Sequence, residues 1–419
     1  MSGYGKIEDD ELVNSIDIWY LKRSGLWEVF NHYREHGVRN RRFTLWKIIT
    51  LILFVPIGFF SLCGPFFTET DLEGMTLVIL NPMSSSQTVI KFAILWYGIE
   101  TQCRVLELFK RDFLTCVPPS MQDKASEILT EAAKKANNLA NLGILTDVIT
   151  VIVWNVLPLL RSEYFRIELG ITAFGTPLRH NKILGFWYPV DYDETPYVQF
   201  VYCYEFLSCG WAGFVIALLE GLVIHLVILL TANIKVMHHL LEELKTSNGT
   251  LNSETLLTYI KDHQKLVKIS NDMRNLYNMM ITMELSTGLI ILIITIFNFF
   301  LSSGNGDLVI MFKFMVYLMY TLVEVTVYCY IGSDLETTSE DLGFAAYSSQ
   351  WYKVGKKFRK TLQMLMVRTR YSLALKFGRM YPINHMALTS ILQTAYSTSM
   401  LLYRATSQDE QGEEAQILM

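Results

Sequence analysis

Ser390, Thr394, Ser397, Leu401 and Arg404 recur at intervals of four, three, four and three residues. On a helix that spacing places three hydroxyls, a branched aliphatic chain and a guanidinium on one stripe. Such a stripe offers hydrogen bonding and charge, with no group able to make or break bonds. Ile391, Leu392, Ala395, Met400 and Leu402 fill much of the remaining circumference. In a lipid environment the stripe must face protein or water, because hydrocarbon leaves its polar groups unsatisfied. Two roles fit. The hydroxyls serve as hydrogen-bond partners between packed helices, or they line an aqueous path that Leu401 narrows and Arg404 terminates at its outer mouth.

A second set of residues suits a small ligand. Met83, Ser84 and Thr88 share one apolar run, Trp154 sits in a second, Tyr202 and Phe206 in a third, and Tyr317, Tyr320 and Thr321 in a fourth. Binding cavities for small molecules are mostly apolar with a few placed polar groups, and this set has that character. The same aromatic residues at helical spacing also serve as ordinary packing. Ionisable residues within apolar runs are costly and draw attention to Glu220, Glu324 and Asp147. Their places near run ends favour structural pairing.

Catalytic chemistry is not indicated. The eight histidines, with His238-His239 adjacent, have no metal-ligand spacing, and GxSxG, P-loop and HExxH patterns are missing. Neither an enzyme nor a metal or other cofactor is expected. The six cysteines (Cys63, Cys103, Cys116, Cys203, Cys209 and Cys329) form no CxxC pair. They read as reduced, buried thiols, Cys63 and Cys203 near span ends being the one pair placed to depart from this.

The elements that carry these residues follow from hydropathy. Hydrophobic residues make up 51% of the 419 residues and charged ones only 18%, with a mean hydropathy of +0.27. Those values indicate a membrane protein, and no basic domain suggests nucleic acid. A spanning helix needs about 20 mostly apolar residues. Six stretches meet that need: Thr44–Phe66, Met75–Ile99, Leu139–Leu160, Val198–Leu230, Ile281–Leu301 and Leu308–Ile331. A seventh, His385–Tyr403, is interrupted by hydroxyls. It has no internal Gly or Pro and follows Pro382, so it reads as helix.

Lys and Arg content orients the spans. Lys6, Lys22, Arg23, Arg34, Arg39, Arg41 and Arg42 precede the first span, while Phe67–Gly74 carries only acids. Basic and bare loops then alternate, the densest run being Lys353, Lys356, Lys357, Arg359 and Lys360. The N-terminus is therefore expected in the cytosol and the acidic C-terminal tail outside. No signal peptide opens the chain, so the first span doubles as the targeting signal. The sequon Asn248-Gly249-Thr250 falls on the cytosolic side, where it stays unglycosylated. This orientation is the reverse of a G-protein-coupled receptor, and neither Asp-Arg-Tyr after the third span nor Asn-Pro-x-x-Tyr in the seventh is present. A transporter would show paired Gly/Pro-interrupted spans, which are not visible.

Between spans, Arg161–Tyr197 is long and aromatic, with Phe186-Trp187-Tyr188-Pro189 and Thr195-Pro196-Tyr197. It fits an interfacial belt and equally a lid over an outer cavity. Ala125–Ala140, Leu251–Tyr277 and Asp341–Arg370 are helix-prone, so the fourth, fifth and sixth spans are expected to continue into the cytosol. The expected organisation is a cytosolic segment 1–43, six spans with cytosolic extensions over 44–331, and an anchor segment 332–383. A seventh helix over 384–406 and an acidic outer tail over 407–419 complete it.

Tyr328-Cys329-Tyr330-Ile331-Gly332-Ser333-Asp334-Leu335, Ser339, Ala345-Ala346-Tyr347 and Trp351-Tyr352 resemble the signature after the sixth span of insect odorant receptors. Phe358-Arg359-Lys360, Leu362, Arg368 and the closing Thr394-Ala395-Tyr396-Ser397 are similar to that family's ending. The resemblance implies an all-α, seven-helix subunit of an odorant-gated, nonselective cation channel. Such subunits sit in the plasma membrane of olfactory sensory neurons, as heterotetramers with a co-receptor. It assigns the pore to Ser397, Leu401, Arg404 and Ala405. It assigns a volatile ligand to a pocket drawing on Trp154, Tyr317 and Tyr320, with Met83, Thr88, Tyr202, Phe206 and Thr321 around them. The segment Ala232–Met280 is much shorter than its co-receptor counterpart, which points to a tuning subunit. The gustatory ending, Thr-Tyr followed by an apolar residue and Gln-Phe, is absent; a gustatory-type channel and a metabotropic seven-helix chemoreceptor are the alternatives.

Overall fold

In the computed structural model every apolar run becomes part of a helix, and several helices run well beyond the apolar stretch that nucleates them. The structure describes residues 22, 25–37, 41–67, 72–110, 112–161, 197–246, 253–305, 308–349, 351–353, 355–378 and 380–417. A short helix α1 (Leu26–His36) precedes α2 (Arg41–Phe67) and α3 (Leu72–Tyr97), then a brief α4 (Ile99–Val105). Four long helices follow: α5 (Gln122–Arg161), α6 (Tyr197–Thr246), α7 (Ser253–Asn305) and α8 (Leu308–Ser348). The chain closes with α9 (Lys356–Thr369), a hairpin of β1 (Lys376–Phe377) and β2 (Tyr381–Pro382), and α10 (His385–Ile417). The aromatic segment between α5 and α6 lies outside the described residues.

Helices α5, α6, α7 and α8 are each long and apolar enough, over their described residues, to cross a membrane. Their burial separates centre from rim. The apolar window of α6 is 72% buried and that of α5 only 28%, so α6 is the axis of the bundle and α5 lies at its periphery. Exposed Leu145, Val148, Ile149 and Ile152 on α5 then form an apolar rim suited to lipid.

Beyond the apolar zone the same core continues into a lower part. Trp27 and Phe30 of α1 are buried, Trp27 meeting Phe109 edge-on at 6.3 Å. Arg34 is fully buried and donates from Nη1 to the Cys103 carbonyl at 3.0 Å. The turn ahead of α5 is fastened by Asp262 of α7, whose carboxylate accepts the Thr115 and Cys116 backbone N–H groups at 2.7 and 2.8 Å. Lys135 and Lys235 converge on Asp334 at 2.7 and 3.2 Å, tying α5 and α6 to α8. Burial works against ionisation there, but the two ammoniums prevail and hold the Asp334 carboxyl below its usual range.

The segment after the sixth span is a docking seat. A β-carbon at Gly332 would collide with the Ile383 carbonyl, so only glycine lets the hairpin approach α8. About two and three turns on, Ser339 Oγ accepts the Leu373 N–H at 2.8 Å, and Gly343 leaves room for Thr369. Asn384 then starts α10. Its Oδ1 accepts the Met386 and Ala387 N–H groups, both at 3.1 Å, while its amide donates to Glu336 at 3.0 Å. The Tyr-Cys-Tyr-Ile-Gly-Ser signature is thus the surface that positions the last helix.

Three expectations change. The helix-prone Ala125–Ala140 is the lower part of α5 itself, so the third span also continues into the lower part of the core. Asp341–Arg370 divides at a turn around Trp351–Lys353 and Gly355 into the end of α8 and a separate α9. The boundary at residue 332 falls inside one continuous helix, and the acidic tail is helical to Ile417. All six cysteines are free, but only Cys103, Cys116 and Cys329 are buried; Cys63 and Cys209 are half-buried and Cys203 is exposed.

Asp262 makes charge-assisted bonds to the Thr115 and Cys116 backbone N–H groups. Asp262→Ala is expected to cost about 2–3 kcal/mol, read as a lower thermal midpoint of the purified chain, with Asp262→Asn in between. His263, one residue on, is buried, and burial followed by the nearby Arg368 pushes its imidazole down to about 4. The unfolded chain takes up that proton near 6.5 and the native chain only near 4. Stability therefore falls as pH drops through that window, by up to roughly 3 kcal/mol. His263→Leu should flatten the midpoint-against-pH curve between those values.

Candidate functional site

Lys91 is placed on α3 in the middle of an apolar run, and its side chain is 1% exposed. An ammonium without partners there would be untenable. Three carboxylates from three other helices meet it. Glu220 of α6 pairs with it directly, Glu284 of α7 lies 2.9 Å away, and Glu324 of α8 lies 3.9 Å away. Gln87, one turn earlier on α3, donates to Glu284 at 3.1 Å and contacts the Thr287 hydroxyl. Asp147 of α5 lies within electrostatic reach of Glu220 and Lys91, in space that Gly213 of α6 leaves open. One point thus joins α3, α6, α7 and α8, with α5 alongside.

The aromatic set stands beside this cluster. Trp154 and Tyr317 have ring centroids 4.9 Å apart, and Tyr317 stacks on Tyr320 at 6.1 Å. Ser84 Oγ lies 3.1 Å from the Tyr317 hydroxyl, which brings α3 to the group. Thr88 and Thr321 are buried and bond to the carbonyls of Ser84 and Tyr317 in their own helices, so their methyl sides face the neighbours. Tyr202 donates to the Asn155 carbonyl, next to Trp154. Met83 is half-buried one turn from Gln87. Phe206 does not join them: it is 50% exposed on the outer side of α6, where it suits lipid contact. The Tyr320 ring lies within electrostatic range of Glu324, Glu220, Asp147 and Glu284, so the aromatic group has an acidic floor.

Sequence reading singled out Glu220, Glu324 and Asp147 but missed Lys91, Glu284 and Gln87. The signal was a lysine inside the second apolar run, in Thr88-Val89-Ile90-Lys91-Phe92, and an acid four residues into the fifth. Charges of opposite sign buried on different spans must find each other.

On α10 the residues sort cleanly by exposure. Ala395 and Ser399 are fully buried, and Ser399 donates to the Ile293 carbonyl of α7 at 2.9 Å. Ser390, Thr394, Ser397, Leu401, Arg404 and Ala405 all face away from the chain, with Leu401 70% exposed. The stripe therefore does not pack within this subunit. Packing falls to a different, small-residue face.

Removing the ammonium strands three carboxylates in a low-dielectric interior. Lys91→Met is expected to lose about 3–5 kcal/mol, seen as a sharp fall in correctly folded protein on size exclusion. Adding Glu220→Gln, Glu284→Gln and Glu324→Gln to that variant should restore most of the folded fraction. A single Lys91→Met chain as stable as the parent would contradict the role given to this cluster.

Comparison with known proteins agrees with this architecture. A family model described as 7tm Odorant receptor matches residues 74–396. Odorant receptor 33a of Drosophila melanogaster is 30% identical over 147 residues, covering 35% of this chain and 38% of that protein. Odorant receptor 30a of the same fly is 29% identical over 171 residues, covering 41% of this chain and 44% of that protein. The matched parts thus span less than half the length of these relatives. The solved olfactory receptor OR5 from Machilis hrabei superposes with a TM-score of 0.76 at 14% identity, over 94% of this chain and all of that one. One structure of OR5 is a complex with eugenol. The fold is accordingly the seven-helix membrane fold, with α2, α3, α5, α6, α7, α8 and α10 as its spans. This is a multi-pass membrane receptor rather than an enzyme, and the chain belongs to the insect odorant receptor family.

Proposed function

We propose that this chain is the odorant-binding subunit of a ligand-gated, nonselective cation channel that assembles with co-receptor subunits as a heterotetramer. The observation that carries the reading is the outward stripe on α10. Hydroxyls and a guanidinium on a spanning helix cannot face lipid without loss, and here they have no cover from their own subunit. Four such helices around one axis would give them water. Leu401 then forms the narrowest ring, with Ser397 on its inner side and Arg404 and Ala405 outside.

Several features support assembly and orientation. Phe344, Tyr347, Met364, Val367 and Tyr371 are 59–72% exposed in the region of α8 and α9, more apolar surface than a monomer leaves to water. Subunit contacts through the 332–383 anchor segment account for it. The alternation of basic and bare loops supports residues 1–43 inside and the 407–419 tail outside. The short cytosolic segment between α6 and α7 supports a tuning subunit over the co-receptor.

A small volatile compound would bind at the Trp154, Tyr317 and Tyr320 group, with Ser84, Thr88, Thr321, Tyr202 and Met83 nearby. Binding favours the open arrangement only through higher affinity for it. The Lys91 cluster, beneath that group and one helix from α10, gives such a preference a rigid part to act through.

The test is whole-cell current from cells of this chain with and without an insect co-receptor, during a panel of volatile alcohols, esters, aromatics and amines. A current that needs both chains and persists without G-protein signalling is expected. Leu401→Ala should enlarge unitary conductance, and Arg404→Glu should raise the permeability of divalent over monovalent cations several-fold. Current that disappears when G-protein signalling is blocked would move the chain to the metabotropic class. Silence with protein at the surface would reject the channel reading.

A further inference from the structure

Acidic side chains outnumber basic ones around the aromatic group. Glu205 and Lys313 both lie near Cys209 and offset one another. That leaves Asp147, Glu220, Glu284 and Glu324 against the single ammonium of Lys91. Oxygens of Glu220, Glu284 and Glu324 lie within 4.8 Å of one another, a spacing that serves a cation. Lys91 fills most of that role, but not all of it. Its ammonium is committed to Glu220 and Glu284, and Oε1 of Glu324, 3.9 Å away, is buried and accepts no hydrogen bond. Asp147 is 8% exposed and makes no hydrogen bond or ion pair among the described residues.

Tyr320 stands one turn before Glu324 on α8, with Asp147 in electrostatic range, and its ring stacks on Tyr317, which in turn contacts Trp154. Electron-rich ring faces beside unspent carboxylates form the combination that binds organic ammonium ions. The Trp154 ring already receives one ammonium, with Lys313 Nζ 4.0 Å from its centroid. A neutral ligand leaves the open carboxylates without partners; a ligand with a basic nitrogen supplies one and places its hydrocarbon against the rings.

We infer that the ligand class of this chain is the small protonated amine, its ammonium held by Glu324 and Asp147 and its hydrocarbon part by Trp154, Tyr317 and Tyr320. The inference rests on the reading that the aromatic group is the ligand site. It adds the charge of the ligand, which the aromatic group alone does not specify.

The test measures binding without gating. The full chain is purified into lipid nanodiscs, and tryptophan fluorescence is titrated near neutral pH with three matched pairs. These are 2-phenylethylamine and 2-phenylethanol, isopentylamine and isopentanol, and cyclohexylamine and cyclohexanol. For at least one pair the amine should bind about tenfold or more tightly, the gain expected of one charge-assisted hydrogen bond. Glu324→Gln and Asp147→Asn should each bring the amine-to-alcohol ratio towards one. Asp147→Asn is the safeguard, because it leaves the Lys91 pairs with Glu220 and Glu284 in place. Equal binding within every pair, as when protons alone meet the excess charge, overturns the inference. So does failure of all three amines to bind, or a preference that survives both substitutions. Trp154→Phe separates this from the site reading: it should weaken both members of a pair alike, and unchanged binding of both would reject the aromatic group itself. Channel function does not enter, so silence in the current assay leaves this result standing.

Discussion

A single buried ammonium organises the membrane half of this receptor. Lys91 sits where water cannot solvate it, so its charge persists only if carboxylates are brought to it. They come from α6, α7 and α8, which fixes the rotation of each of those helices about its axis. Hydrophobic contact alone would not do this, since apolar side chains pack almost as well in several rotations and lipid competes for them. The aromatic group takes its place from the same constraint. Tyr317 and Tyr320 lie two turns and one turn before Glu324, so fixing that carboxylate fixes both rings.

The half beyond the apolar zone is held by a different logic. There the helices use an ordinary buried core, with Arg34, Asp262 and Asp334 fastening segments that would otherwise be loose ends. The seat on α8 links the two halves. Gly332, Ser339 and Gly343 hold the strand hairpin and the approach to α10, so the last helix is aimed from its N-terminal end. Its upper part is then fixed by Ala395 and Ser399 against α7. An element held at its base and along one face is free to present the other face to a partner.

Much of this was legible in the sequence, for reasons that particular residues make plain. The spans emerge from hydropathy because twenty apolar residues are hard to explain otherwise. The polar stripe on α10 was readable from its spacing, though spacing could not choose between packing and water; the exposure of Ser397 and Leu401 excludes packing within this subunit. Gathering of Ser84, Trp154, Tyr317 and Tyr320 was expected, yet Phe206, close to Tyr202 along the same helix, turns to the lipid side. Four residues on, the helical phase has moved by about 40°, and that shift leaves Phe206 exposed. Lys91 escaped because one lysine barely alters the average of an apolar window, and its partners lie on helices far away in sequence. The turn at Trp351–Lys353 escaped because the residues around it are individually compatible with helix.

The claim most exposed to test is that the stripe on α10 meets water in the assembled receptor while its opposite face meets α7. Cysteines placed singly at Ser397, Leu401, Arg404 and Ala395, in a chain co-expressed with the co-receptor, can be probed with a charged thiol reagent during ligand-evoked current. Rapid block at Ser397→Cys, Leu401→Cys and Arg404→Cys, with Ala395→Cys and the parent chain unaffected, is the pattern this account requires. Modification at Ala395→Cys with the stripe positions inert would place the water on the other side of the helix and contradict it.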